Sequence, residues 1–162
     1  MNRIILAISS MFSGLLAFGQ GDSKYDEIME LPVLLEVTHS PNPAKAQRGG
    51  PSGSEFTWIY ETKVSSKEKT LTVVEFGAFA WHRGRWLFSN YTGEPFTSKD
   101  FEDWYSCPGA VLEAGKAYSD QRNWSGANLL RHKKAKWYFV ARDESGNLYR
   151  GTGVIEEIDE IR

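Results

Sequence analysis

The chain has 162 residues, and its 19 lysines and arginines against 21 aspartates and glutamates give a net charge of −2. Without a basic surplus to neutralise phosphates, nucleic acid is not an expected partner. The single cysteine rules out an internal disulfide, so a hydrophobic core must hold the fold unaided.

The N-terminus has the layout of a secretory signal peptide over residues 1–19. Arg3 is followed by the short apolar run Ile4–Leu16. Ala17 and Gly19 then provide small residues at positions −3 and −1 of a cleavage site before Gln20. A membrane anchor is the alternative, but it needs about 20 apolar residues. We therefore expect a secreted or periplasmic protein with no transmembrane segment after signal cleavage.

Residues 20–54 are expected to form an N-terminal arm and a flexible loop. Gly21–Glu30 is polar and charged, which indicates a flexible lead-in or a frayed helical turn, and Val33–Thr38 favours a first strand. Ser40–Ser54 holds three prolines and three glycines. Because such a composition buries little apolar surface, it predicts a mobile loop.

The compact body is predicted over residues 55–162 and begins with two strong strand patterns. Phe56–Val64 alternates apolar and polar residues, which is typical of a half-buried strand. Thr70–Phe88 is apolar on both faces and turns at His82–Arg85, so it predicts a hairpin at the centre of a covered sheet. Gly77 within this hairpin indicates a bulge or a closely approaching neighbour.

One short helix is predicted near residues 98–105. Thr97 or Ser98 can cap its N-terminus, and Asp100 lies near the positive end of the helix dipole. Eight residues cannot form a stable helix alone in water, so the helix must pack on the sheet. Its apolar residues fall on one face: Phe101, Trp104 and Tyr105.

The rest of the chain predicts short strands joined by turns. Asp120–Asn128 is predicted to be a polar loop, and the tail after Ile155 a weak helix or a frayed end. Two short strands, Ala110–Leu112 and Ala117–Ser119, are predicted on either side of the turn Glu113–Lys116, and Lys136–Ala141 with Leu148–Ile155 is predicted as a final hairpin.

These patterns together predict an all-β protein, a two-layer antiparallel β-sandwich with one short helix. The stretch VLEAGKAYSD and the hairpin WYFVARDESGNLYRGTGV resemble bacterial exported immunoglobulin-like domains. The resemblance implies an immunoglobulin-like sandwich, although the Cys…Trp…Cys core of antibody domains is absent. A small antiparallel β-barrel is the alternative.

Residues that could carry chemistry lack the spacing of a known site. Cys107 could join His82 or His132 and Asp100 or Asp103 in a hydrolase triad, but no nucleophile motif surrounds it. No histidine or cysteine pair has the spacing of a zinc or copper site. We therefore expect no catalytic residue, no metal ligand and no cofactor, and we expect Cys107 to be buried and inert.

Aromatic residues are the strongest feature of the composition, with six tryptophans, seven tyrosines and nine phenylalanines. Aromatic side chains bury large areas, so a core without disulfides benefits from them. Seven are predicted to lie in the core: Phe56, Trp58, Phe76, Phe79, Phe88, Trp137 and Phe139.

The function favoured by these observations is a non-catalytic binding or interaction module, with a protein or a polysaccharide as partner at the cell surface or in the periplasm. A carbohydrate-binding module is the alternative and predicts a coplanar pair of exposed tryptophans. A Cys/His-dependent hydrolase or a metal-binding protein is the third hypothesis. The residues predicted to bind ligand lie outside the expected core: Trp81, His82, Arg85, Trp86, Trp104 and Trp124.

Overall fold

The computed structural model describes residues 17–51 and 53–162. The predicted signal peptide therefore lies almost wholly outside the described residues. Two α-helices are present in the described part, α1 (Ala17–Glu30) and α2 (Ser98–Tyr105), with a short 3-10 helix at Pro108–Ala110. Ten strands follow one another in chain order: β1 (Leu35–Ser40), β2 (Ala44–Arg48), β3 (Phe56–Ser66), β4 (Leu71–His82), β5 (Arg85–Phe88), β6 (Phe96–Thr97), β7 (Val111–Leu112), β8 (Ala117–Ala127), β9 (Lys133–Arg142) and β10 (Leu148–Ile161).

The ten strands form one hydrogen-bonded sheet, which confirms the all-β prediction. Along the sheet the main order is β8, β3, β2, β10, β9, β4 and β5; β1 also pairs with β3, while β6 and β7 pair with β4. Every pairing between strands is antiparallel except that of β2 with β10. The sequence predicted two separately bonded sheets, and here the described strands are joined in a single one.

The sheet curves so that its two halves enclose one core. Three strand spacings along the sheet separate β3 from β9, about 14 Å in a flat sheet. Nevertheless, Trp137 Nε1 in β9 donates a hydrogen bond of 2.9 Å to Tyr60 Oη in β3. Six of the seven predicted core aromatics are buried, and the seventh, Phe88, is half-buried. The aromatic composition therefore serves the core, as predicted.

The helix near residues 98–105 is confirmed with the predicted capping. Thr97 is the N-cap, and its backbone N–H donates to Asp100 Oδ2 at 2.7 Å. Phe101 and Tyr105 on its inner face are fully buried against the sheet. The helix ends where Ser106 takes a left-handed conformation.

The N-terminal arm is docked on the body. Ile28 of α1 packs with Phe79 and Tyr138 on the face of the sheet opposite the main core. Lys24 Nζ lies 2.8 Å from Glu75 Oε1, which ties the helix to β4. Among the described residues, neither helix has the length and apolar character needed to cross a bilayer.

Three segments predicted as loop or frayed end are strands instead. β2 lies inside the segment predicted to be a mobile loop. This segment can pair as a strand because Ala44 and Ala46 are small enough to be fully buried between β10 and β3. The predicted polar loop Asp120–Asn128 falls largely within β8, which pairs with β3 along this stretch. The tail continues β10 to Ile161.

Gly77 has the close neighbours that the sequence indicated. A Cβ atom at this position would lie 2.7 Å from Asn90 Nδ2 and 2.9 Å from Tyr138 Cε1. Both distances are shorter than a carbon atom tolerates. The absence of a side chain therefore lets Asn90 approach β4, where its Oδ1 accepts a hydrogen bond from the Ala78 N–H at 2.9 Å.

His39 makes the stability of the fold depend on pH. Burial lowers the pKa of His39, whose Nδ1 lies 3.1 Å from Thr62 Oγ1. As the pH falls below about 6.5, His39 is therefore protonated in the unfolded chain before it is protonated in the folded protein, and this difference favours unfolding. We expect the wild-type free energy of unfolding to decrease between pH 7 and pH 5 more steeply than that of His39→Gln, as measured by urea unfolding.

The matched control for this prediction is His132→Gln, because His132 is exposed. It should retain the wild-type dependence on pH. Equal slopes for His39→Gln and the wild type would show that His39 does not resist protonation in the folded state.

Candidate functional site

A cleft of about 1100 Å³ lies at one end of the curved sheet. The end of β4, the start of β9, the second half of β8 and the end of β10 contribute its walls. A smaller groove of about 510 Å³ beside β1 is lined by no aromatic side chain. The cleft is therefore the stronger candidate for a ligand site.

Aromatic rings dominate the apolar lining of the cleft. Three of the aromatic residues in the lining are buried, Tyr60, Phe96 and Trp137, and the first and last are joined by the hydrogen bond between β3 and β9. Of the described residues in the lining, Leu87 alone has an aliphatic side chain larger than that of alanine. The aromatic residues of the lining come from six strands and one loop: Tyr60, Trp81, Phe88, Tyr91, Phe96, Trp124 and Trp137.

A buried carboxylate, Glu157, also lines the cleft. Glu157 is fully buried, and its Oε2 lies 2.7 Å from Lys133 Nζ. Lys133 donates a hydrogen bond of 3.1 Å to Ser125 Oγ, and its ammonium lies 4.3 Å from the centre of the Trp58 ring. The second carboxylate oxygen, Glu157 Oε1, has no hydrogen-bond partner among the described residues. Such an acceptor is costly to bury unless a donor reaches it.

Positive charge surrounds the cleft although the protein is acidic. Arg83, Arg131, Lys133 and Lys134 belong to the lining, against the single carboxylate of Glu157. Lys133 is paired with Glu157, and Lys134 Nζ lies 2.6 Å from Glu156 Oε1 outside the lining. Arg83 and Arg131 form no ion pair with any described residue. Two guanidinium groups are therefore available to an anion.

Three of the six residues predicted to bind ligand line this cleft: Trp81, His82 and Trp124. Trp81 and His82 are placed there by the end of β4, and Trp124 by its position opposite Ile59 in the β8–β3 pair. Arg85 pairs with His82 across the hairpin but is not part of the lining. The structure thus brings half of the predicted set together.

The neighbouring tryptophans Trp81 and Trp86 are not a coplanar exposed pair of the kind that the carbohydrate-binding alternative predicts. Trp81 and Trp86 lie opposite each other with ring centres 5.1 Å apart, but their planes cross at 61°. Trp86 is half-buried in the cluster beneath α1, and Lys136 Nζ lies 4.5 Å from its ring centre. Trp86 is therefore a packing residue of the opposite face.

Trp104 belongs to the packing of α2. Its ring centre lies 4.7 Å from that of Phe96 and 5.4 Å from that of Phe76. It is half-buried and outside the lining of the cleft. The helix that carries it closes the core between β4 and β8 rather than presenting a ring to solvent.

Cys107 is fully buried, as predicted. Its Sγ donates to the Val111 carbonyl oxygen at 3.3 Å, and burial raises the pKa of the thiol to about 11. A raised pKa opposes the thiolate that a nucleophile or metal ligand needs. Among the described residues, no three histidine, cysteine, aspartate or glutamate side chains converge as metal ligands would.

At pH 8, we expect Cys107 to react with the thiol reagent DTNB at least about 100-fold more slowly in the native protein than in guanidinium chloride. Raising the thiol pKa from 9.0 to about 11 reduces the fraction of reactive thiolate about 100-fold. Absorbance at a single wavelength follows the reaction. Rates that agree within a few-fold in the two conditions would show an accessible thiol and would revive the hydrolase hypothesis.

Apart from His82, the sequence did not single out the polar residues of the lining that carry the argument: Glu157, Arg83 and Arg131. Glu157 lies two residues after the buried Ile155, so a strand pattern over the tail would have pointed its side chain inward. The alternation was missed because the tail after Ile155 was predicted to be a weak helix or a frayed end. Arg83 and Arg131 lie in loops that are far apart in the sequence, and no local pattern relates them.

No protein-family model matches the chain, and no curated protein is detectably similar to it in sequence. The geometry of the cleft is therefore the basis for a functional proposal.

Proposed function

We propose that this protein is an exported, non-catalytic binding module that holds its ligand in the cleft. The observation that carries the proposal is the convergence of aromatic rings and the buried carboxylate of Glu157 on one concave site. Ligand sites are commonly clefts of this size, mostly apolar, with a few polar groups that orient the ligand. A protein or a polysaccharide at the cell surface or in the periplasm is the source of that ligand.

Binding is favoured over catalysis by the position of the chain's nucleophile. Cys107 lies in the core and outside the lining of the cleft. His82 and His132 line the cleft but are exposed at its rim. The side chains at the base are suited to contact and orientation, because rings and a paired carboxylate predominate there.

The ligand site is tested by filling the cleft. We expect at least one compound in a panel of oligosaccharides, fatty acids and aromatic acids to raise the Tm of the wild type by roughly 5–10 °C at 100 times its Kd. Ala80→Trp, which places a ring in the lining, should abolish that rise. The control Ala117→Trp is exposed at the start of β8, outside the lining, and should retain it. A rise that survives in Ala80→Trp would place the ligand elsewhere.

The proposed export rests on the N-terminal pattern described above. We expect the protein produced with its leader in an export-competent bacterial host to begin at Gln20 when its N-terminus is sequenced. Recovery of a chain that begins at Met1 in the membrane fraction would support the anchor instead.

The finer assignment of the fold is also a proposal. We propose that the chain is related to exported immunoglobulin-like sandwiches. The final hairpin, one of the two stretches that carry the resemblance, supports this relation, since its strands β9 and β10 pair with each other. A single curved sheet whose halves share a core fits a small barrel as well. A crystal structure in which β8 pairs directly with β4 or β5 would favour the barrel.

A further inference from the structure

We propose that the ligand of the cleft is an acidic sugar chain, one whose rings carry carboxylates as uronic acids do. This inference rests on the proposed function, since it names the ligand class of the same cleft. Three independent properties of the lining select it: the shape of its apolar surface, the charge at its rim and the unsatisfied acceptor at its base.

The apolar surface of the cleft is made of flat faces. Seven aromatic residues belong to its lining, although the ring of Phe88 packs against Phe79 on the opposite face of the sheet. Among the described residues, Leu87 is the only aliphatic side chain larger than alanine in the lining. A rigid ring with one apolar face packs against such surfaces in stacked or edge arrangements, whereas a flexible alkyl chain is better served by branched aliphatic side chains. A pyranose ring has such a face, formed by its C–H groups.

The charge at the rim selects an anion. Arg83 approaches from the β4–β5 turn and Arg131 from the loop before β9, and neither has a carboxylate partner among the described residues. A guanidinium group offers two parallel N–H donors that match the two oxygens of a carboxylate. Two such groups at one cleft suit a chain with repeated carboxylates better than a neutral sugar.

The base of the cleft requires a donor from the ligand. Glu157 Oε1 is buried and has no hydrogen-bond partner in the described part of the chain, while Lys133 Nζ lies 2.7 Å from the other oxygen. A sugar hydroxyl can donate to this oxygen, but the ionised head group and alkyl tail of a fatty acid carry no donor. The same molecule therefore satisfies the base and the rim only if it has both hydroxyls and a negative charge.

The inference is tested with a pair of trisaccharides that differ only in charge. The probes are trigalacturonate and the neutral galactose trimer of the same linkage, measured by isothermal titration calorimetry with the full protein. We expect trigalacturonate to bind at least about ten-fold more tightly, and Arg83→Gln and Arg131→Gln each to weaken its binding about ten-fold, as expected for one charge-assisted hydrogen bond.

Arg142→Gln is the matched control, because it removes one exposed arginine from the opposite end of β9, about 30 Å from Lys133. It should leave the affinity unchanged within two-fold. Equal affinity for the two trimers, or equal losses in all three arginine variants, would overturn the selection of an anion.

A third probe, laurate, separates a sugar from an anionic lipid. Binding of laurate with no binding of either trimer would overturn the sugar inference. The proposed function would nevertheless stand if Ala80→Trp abolished the laurate binding. If the cleft-filling variant binds every probe as the wild type does, the proposed function fails together with the inference.

Discussion

Phe76→Ala is expected to lower the free energy of unfolding by about 3–5 kcal/mol, the usual cost of removing a buried aromatic side chain. Phe76 is fully buried in β4, and its ring has six aromatic neighbours with centres 5.2–6.5 Å away. These neighbours come from β6, α2 and β9, so the cavity would open where the helix meets the sheet. Guanidinium chloride unfolding followed by circular dichroism measures the change.

Two further variants keep this prediction testable if the alanine variant does not fold. Phe76→Leu retains most of the buried volume and should cost clearly less than the alanine variant. Leu129→Ala removes an exposed side chain, so its effect should remain within about 0.5 kcal/mol. A loss below about 1 kcal/mol for Phe76→Ala would show that these rings are not the centre of the core.

Lys133→Met is expected to cost about 3 kcal/mol, because removing one partner of a buried ion pair leaves the other charge uncompensated. The value lies at the lower end of the usual range, since 23% of the Lys133 side chain is exposed. The variant also loses the hydrogen bond to Ser125 and the ammonium over the Trp58 ring. Urea unfolding at pH 7 measures the change.

The double variant Lys133→Met with Glu157→Gln separates the pair from the packing around it. Because both charges are removed together, the double variant should be more stable than Lys133→Met alone. A double variant whose loss equals the sum of the two single losses would show that the two side chains do not interact in solution.

Much of the fold followed from patterns that are local in the sequence. The β4–β5 hairpin, α2 and the β9–β10 hairpin were predicted because each has its own periodicity, caps or turn. The core aromatics followed from their positions in those elements. Local physical chemistry determines these features, and no knowledge of the sheet order is needed to see them.

The curvature and the single sheet were not predictable, because they depend on contacts between distant segments. Gly151 and Gly153 on β10 leave room for β1: an added Cβ would lie 2.8 Å from the Leu35 carbonyl oxygen at the first position and 3.0 Å from that of Val37 at the second. Two glycines in a strand indicate a close approach but do not name the partner. Similarly, the buried alanines of β2 were hidden among prolines and glycines.

The site was half predictable for the same reason. Trp81, His82 and Trp124 were proposed because tryptophans outside strand centres suggested exposure. Glu157 and Lys133 become a site only when β10 and β9 are paired, which the register Glu157 with Lys133 provides. The two arginines are brought to one rim by the curvature of the sheet, a property that no segment encodes alone.

The most direct test of the ligand cleft is the response of the six tryptophan indole N–H signals in a ¹H–¹⁵N spectrum titrated with trigalacturonate. Trp81, Trp124 and Trp137 line the cleft, whereas Trp86 and Trp104 lie outside it. We predict that the signals of the first three shift further than those of Trp86 and Trp104, whose aromatic contacts with the lining, among the described residues, are only those with Trp81 and Phe96. Shifts at Trp86 or Trp104 without shifts at the cleft, or no shift at millimolar trigalacturonate, would contradict the account.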